Sequence, residues 1–466
     1  MKTGITRKRI ASCLLSCIMM TGLFTGCGTS KQAGTDGKVE ISIGGWPEKG
    51  TEAYDTKMEQ VKRFNEKYPD ISIVGDTYKY AVNTFTAKAT AGTLPTVIPT
   101  WFTEVDKIVE AGYVADLTDK LNENGWLSQM NSDIVKYVSG KDGKVYGIPW
   151  KVYAQGLYIN RAIFEQAGLV DENGDVIIPK TYDELYETAK TIKEKTGKAG
   201  FGLPTMNNQG GWHTINIAWA YGADFLEKTE EGTYTSKLDS PETVAAYEWV
   251  KKMRAANVFP DNPNLQANDL QTLFTAGQIA MFIGEPNYVS GMVKNGAKPE
   301  NILMASIPEG PKGRMSQMGG DLYMIAANAT PEQIDASLKW IDFIGYGPTL
   351  EEETVQNLKE NYKTTISTGG AVLPREAFYL WTDEERVTKL LAARSEYANI
   401  PEENVKEYFA FDGVTLMPEP EAGCQELYAE LDKIVQAIYS DSNADVKNLV
   451  KTASDNWQTN CLDLLK

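Results

Sequence analysis

Four tryptophans and a tyrosine stand where a strand pattern has just ended or is interrupted: Trp46, Trp101, Trp150, Tyr153 and Trp212. Polar partners accompany them, with Glu48 beside Trp46, and Glu285, Asn287 and Asp321 following apolar or glycine-rich runs. Flat aromatic faces combined with carboxylates and amides suit the non-covalent capture of a molecule that is apolar on its faces and polar at its edges. Turnover chemistry has much less to stand on. His213 is the single histidine and is expected to be a solvated or core residue; no Ser/His/Asp set stands out, and no CxxC pair exists. No metal or cofactor is therefore expected. Asp171-Glu172-Asn173-Gly174-Asp175 begins like a calcium loop, but its twelfth position is Tyr182 instead of glutamate, so a turn is expected there.

The elements that must carry these side chains alternate along the chain. VEISIGGW (39–46) reads as a strand, Glu52 to Tyr68 has helical spacing through Met58, Val61, Phe64 and Tyr68, and Ile71 to Val74 returns as a strand. A small-residue helix (84–91), a strand near Thr96 to Ile98 and a helix from Glu104 follow. Trp46 and Trp101 thus sit at the carboxyl ends of strands, where ligands bind in open α/β sheets, while Phe102 is as well suited to the core. Later, Thr181 to Glu184 reads as a capping box, Gly200 to Leu203 as a strand, and Ser240-Pro241 as a helix start. A helix near 269–276 leads into a strand at 278–283, and Thr330 caps another helix, which is also the better use of the Asn328-Ala329-Thr330 sequon. After about residue 373 only helices are expected, ending in a long one that carries Val446, Val450, Ala453, Trp457 and Cys461 on one face. The pattern predicts an α/β fold with a largely parallel sheet, more chain than one core holds, and hence two lobes.

The first 27 residues read as a targeting segment: Lys2, Arg7, Lys8 and Arg9, then 15 largely apolar residues from Ile10 to Phe24, then small residues before Cys27. That arrangement resembles a bacterial lipoprotein site, with Cys27 as the lipidated residue and 28–38 as a flexible tether. Removing residues 1–26 takes away four basic side chains and no acidic one, leaving 42 basic against 63 acidic residues and a net charge near −21. Such a surface repels phosphates, so nucleic acid is excluded as a partner. Cys424 and Cys461 are open between a disulfide and two buried thiols.

Several segments, in order, carry a resemblance to a known family: GTLPTVI (92–98), AGYVADL (111–117), GKVYGIP followed by LYINRAIFEQAGL and PKTYDELYETAKTIKEKTG (143–197), LFTAGQIAMFIGEP (273–286), GGDLYMIAANATPEQIDASLKWIDFI (319–344) and LMPEP (416–420). Together they resemble the extracellular solute-binding proteins of the sugar-binding, maltose-binding-like type, the receptor subunits of ATP-binding-cassette importers. Thr96, where that family commonly has aspartate, and Glu285-Pro286-Asn287 depart from the pattern and bear on the ligand. The resemblance implies a two-lobed type II periplasmic-binding (Venus flytrap) fold, with lobes at 39–148 with 319–370 and 149–318 with 371–466. It implies three crossings between lobes, near 148–153, 314–321 and 368–374, at which Pro149 ends a ladder and Gly319-Gly320 and Gly369-Gly370 supply permissive backbone. It further implies that Trp150, Tyr153 and Asp321 face an interlobe cleft, that the ligand is a carbohydrate, and that the partner is a membrane permease met by a lipid-anchored monomer. The readings set against this are an exported glycoside hydrolase, for which no carboxylate pair stands out, and a receptor for a cation such as a polyamine, suggested by the acidic surplus.

Overall fold

A computed structural model describes residues 37–465. Cys27 and nearly all of the expected tether lie outside the described residues. The strands are β1 (Val39–Ile43), β2 (Ile71–Gly75), β3 (Val97–Trp101), β4 (Gly147–Ala154), β5 (Gly156–Asn160), β6 (Leu226–Lys228), β7 (Tyr234–Ser236), β8 (Met281–Gly284), β9 (Ile302–Ser306), β10 (Arg314–Ile325) and β11 (Val414–Met417). In β1 the alternation buries Ile41 and Ile43, and parallel pairing with β2 and β3 follows because the helices Glu52–Lys67 and Val82–Thr90 return the chain each time.

The expected largely parallel sheet is instead mixed. Strand β10 runs antiparallel to both β3 and β4, and β5 runs antiparallel to β8 and β9 in a separate three-stranded sheet. The reason is directional: β4 leaves the first lobe and β10 enters it, so the two crossing strands lie side by side head to tail. Gly200 to Leu203 forms only isolated bridges, Ala199 to Ile279 and Gly202 to Phe282, in place of a strand. The all-helical finish is interrupted as well, because β11 adds parallel to the start of β10.

Two large apolar cores divide the molecule. One gathers Ile41, Phe64, Ile98, Leu117, Ile148 and Trp340; the other gathers Tyr158, Phe164, Phe201, Trp249, Phe282, Leu431 and Trp457. The chain passes between them at Gln155, within the segment that joins β4 to β5, and again along β10. Beyond 370 the path is less simple than a single last crossing. Ala371 packs in the second core, Leu380 and Trp381 return to the first, where Trp381 meets Trp126 edge to face, and the second core resumes from Ile400. So the expected second-lobe segment 371–466 contributes to both cores.

Local signals fix the helix ends. Thr330 and Gln333 form a reciprocal capping box, and Ser240 accepts from the Thr243 amide ahead of Pro241. Thr181 accepts from the Glu184 amide, but the Glu184 carboxylate takes the Lys180 amide at 2.6 Å instead of closing the box on Thr181. Asp171 accepts from the amides of Asn173 and Asp175 in a tight turn between Val170 and Val176. Cys424 and Cys461 are buried free thiols. Thr96 ties β1 to β3, accepting from the Ser42 amide at 3.1 Å. Among the described residues no helix is long and apolar enough to cross a membrane.

Candidate functional site

The strand GIPWKVYA holds the place where the two cores are joined. Pro149 lies within β4 opposite Leu322, at the point where the β4–β10 register shifts, so its missing amide coincides with an irregularity in the ladder. Beyond that shift β4 presents Trp150, Lys151 and Tyr153, and β10 presents Gly319, Gly320 and Asp321. These two glycines act through space, not through unusual dihedrals. A Cβ on Gly320 would lie 2.3 Å from the Phe102 ring, and one on Gly319 would lie 2.7 Å from the Tyr153 ring.

A cavity of about 440 Å³ opens over this seam. From the first lobe it is lined by Trp101 and Thr103, where Trp101 ends β3 directly opposite Asp321 and is 40% exposed. Tyr80 meets the Trp101 ring edge to face at 5.1 Å and steadies it. From the second lobe come Glu285 and Tyr288, which follow β8, and Trp212 and His213 on the helix Gln209–Tyr221. Asn207 and Asn208 precede that helix with φ of 59° and 65°, a turn that asparagine tolerates. Asp432 pins it by accepting from the amides of Asn208 at 2.7 Å and Gly211 at 2.8 Å. Glu419, Gln425 and Tyr428 close the floor.

A second space of about 420 Å³ shares Trp101 and Asp321 with the first and is bounded by Trp150, Tyr323 and Tyr80. A smaller one of about 100 Å³ shares Lys151 and Tyr153 and reaches Asn287. Trp101, Trp150, Lys151, Tyr153 and Asp321 each line two of these spaces along the crossing strands.

Charge is concentrated at its centre. Lys151 Nζ lies 2.5 Å from Asp321 Oδ2 and 3.9 Å from Glu285 Oε2, and it sits over the Tyr153 ring at 4.9 Å. Burial pushes the Glu285 and Asp321 carboxyls up from their ordinary values, and Lys151 opposes both shifts. Glu419 accepts from Tyr428 Oη at 2.8 Å and Gln317 Nε2 at 2.8 Å; burial outweighs these bonds and pushes its carboxyl up to about 7. His213 is fully buried, and burial lowers its imidazole to about 4, so it is neutral near pH 7. The 2.6 Å contact of its Nδ1 with the Gln209 carbonyl oxygen places the proton on Nδ1, because a carbonyl can only accept.

Most of the expected binding residues line one or more of these spaces, and two do not. Trp101, Tyr153, Trp212, Glu285 and Asp321 line the 440 Å³ cavity, Trp150 lines the other two spaces, and Asn287 lines only the smallest, where its Nδ2 donates to Glu285 at 2.6 Å. Trp150 serves as both wall and packing: its ring stacks on Tyr323 at 5.7 Å. Trp46, expected as a contact, is a core residue only 6% exposed, folded over Gly75 and stacked on Trp340 at 6.1 Å. Glu48 is exposed on the adjoining turn, where its carbonyl accepts from Thr51, and lines none of the three spaces. Phe102 is core, stacked on Tyr137.

Lys151, Tyr288, Glu419 and Tyr428 were not singled out by sequence. Two of them had a signal: Lys151 lies between Trp150 and Tyr153, and Glu419 lies in LMPEP. Among the described residues no group of three or more His, Cys, Asp or Glu is placed to hold a metal ion.

Comparison with known proteins agrees with this architecture. The chain is 26% identical over 340 residues to the diacetylchitobiose binding protein DasA of Streptomyces coelicolor, covering 70% of this chain and 76% of that one. It is 27% identical over 363 residues to the polygalacturonan/rhamnogalacturonan-binding protein YtcQ of Bacillus subtilis, covering 73% and 70%. The fold superposes on maltose-bound MalE3 of T. maritima with a TM-score of 0.68 at 20% identity, covering 90% of this chain and 99% of that one. A TM-score of 0.65 at 18% identity relates it to UgpB of Mycobacterium tuberculosis in complex with glycerophosphocholine, covering 91% and 98%. Residues 59–358 match the family described as bacterial extracellular solute-binding protein, and the chain belongs to that family.

Proposed function

We propose that this protein is the substrate-capturing subunit of an ATP-binding-cassette importer, that its ligand is a carbohydrate, and that an oligosaccharide fits best. The observation that carries this reading is the exposed Trp101 sharing one cavity with Trp212, Tyr153 and Tyr288 around a set of carboxylates and amides. Aromatic faces match the apolar faces of pyranose rings, while Asp321, Glu285, Asn208 and Gln209 can satisfy hydroxyls. A second space continuing past Trp101 leaves room for more than one ring. Diacetylchitobiose and maltose, the ligands named for two of the relatives, are sugars.

Capture would proceed by hinge closure of the lobes about the β4–β10 seam, as periplasmic binding proteins close around their ligands. Release would be to a membrane permease, with Cys27 as the lipid anchor on the outer face and the chain acting as a monomer without cofactor. Calorimetry and product analysis with a panel of oligosaccharides test the central point. Binding with no new product is expected; cleavage of the sugar would establish a glycoside hydrolase instead, and tight binding of a polyamine with no sugar bound would establish a receptor for cations. Incorporation of labelled palmitate into wild type but not into Cys27→Ala tests the anchor.

A further inference from the structure

We propose that the cleft accepts uncharged or amine-bearing sugars and excludes anionic ones, because its central cation is already held between two carboxylates. This inference rests on the carbohydrate reading and specifies its substrate class. The charged side chains lining the 440 Å³ cavity, among the described residues, are Lys151, Glu285, Asp321 and Glu419. Lys151 is the one positive charge, and its Nζ is 2.5 Å from Asp321 and 3.9 Å from Glu285.

A uronate or phosphate could take a further N–H of the Lys151 ammonium, but that single cation is already in contact with Asp321, whose side chain is 11% exposed, and lies 3.9 Å from Glu285. The incoming anion would then sit beside two carboxylates that one ammonium cannot neutralise, and such a juxtaposition of like charges is costly. The cations of the side branches do not offer an alternative. Arg375 pairs with Glu402, and Arg394 pairs with Glu376 at 2.6 Å. Lys79, at the edge of the 420 Å³ space, is exposed to water, where its attraction is screened. An ammonium or hydroxyl, by contrast, donates directly to Asp321, Glu285 or Glu419 without breaking the Lys151 contacts.

The distinction separates relatives that overall similarity does not. Diacetylchitobiose is neutral, whereas polygalacturonan and sn-glycerol 3-phosphate, named for other relatives, are anionic. Calorimetry on the full chain with diacetylchitobiose, maltose, the free glucosamine disaccharide, digalacturonate and sn-glycerol 3-phosphate tests it. The anionic probes are expected to bind on the order of 100-fold more weakly than the best neutral or amine-bearing sugar. Glu285→Gln, with its folding checked by circular dichroism, is expected to improve digalacturonate relative to that sugar by about tenfold. Digalacturonate bound as tightly as any neutral sugar would overturn the charge selection while leaving a carbohydrate receptor. Binding of sn-glycerol 3-phosphate alone, or of no probe sugar at all, would overturn both. A Glu285→Gln protein with unchanged preference would also count against the proposal.

Discussion

Trp46 and Trp101 both stand just past or at the carboxyl end of neighbouring strands in one sheet, yet one is core and the other is cleft wall. After β1 the chain turns back, with the Trp46 amide bonded to the Asp76 carbonyl at 2.8 Å, and its ring drops over the end of β2. Gly75 permits this, since a Cβ there would lie 2.3 Å from the Trp46 ring. The ring then stacks on Trp340 from the helix Pro331–Phe343. At the end of β3 no such return occurs: Trp101 pairs with Asp321 on the incoming strand β10 and is left 40% exposed. Position at a strand end therefore makes a place in the cavity wall available, and what packs over the neighbouring strand end decides whether the ring takes it.

The largest effect should separate stability from binding. Trp46→Ala is expected to cost ~3–5 kcal/mol in urea unfolding, with sugar affinity of the folded fraction nearly unchanged. A mild stability loss with a large loss of affinity would reverse the comparison. Trp101→Ala is expected to do the opposite, weakening sugar binding by about 2 kcal/mol, or roughly thirtyfold, while shifting stability by less than about 0.5 kcal/mol. Gly75→Ala sharpens the cause: crowding of the Trp46 ring is expected to cost ~1–3 kcal/mol in thermal or urea unfolding. In the Trp46→Ala background that cost should largely vanish, as a double-mutant cycle would reveal.

The effect spread most thinly, over several pH units, tests whether either tryptophan has a hand in pH dependence. Between 4.5 and about 7 the folded chain keeps a proton on Glu419 that the unfolded chain has lost, so this group's contribution is full below pH 4.5 and is lost as pH rises through 7. His213 runs the other way: its imidazole falls from 6.5 to about 4, so its contribution is present above 6.5 and lost as pH drops toward 4. Glu419→Gln removes the first slope and leaves the second. Its stability relative to wild type should rise from pH 5 to 7.5, by at most ~1.4 kcal/mol per pH unit, whereas the losses in Trp46→Ala and Trp101→Ala should be flat over that range. Chemical denaturation at three pH values distinguishes the two behaviours.

Much of the fold is legible in the sequence because it rests on local rules. Alternation in VEISI, the caps at Ser240 and Thr330, and the Asp171 turn each depend on a few adjacent residues, and each appears in the structure as read. The failures are non-local. Gly200 to Leu203 lacks an open ladder to join, β11 exists because β10 extends beyond the sheet to meet it, and Leu380 and Trp381 return to the first core because Trp126 offers them a surface. At the site, the aromatic and acidic members could be nominated one by one, and the place of Lys151 between Trp150 and Tyr153 is a local hint, but its pairing with Asp321 and Glu285 has no local mark.

By itself, then, the sequence determined the alternation of strands and helices, the helix ends, the acidic balance and the segments that mark the family, since each is written in neighbouring residues. Only the tertiary structure decided which tryptophans reach the cleft, that β4 and β10 run antiparallel through the seam, and that Lys151 is shared by Asp321 and Glu285. Those facts depend on side chains as much as 170 positions apart in sequence being brought within a few ångströms, and no local pattern encodes that encounter.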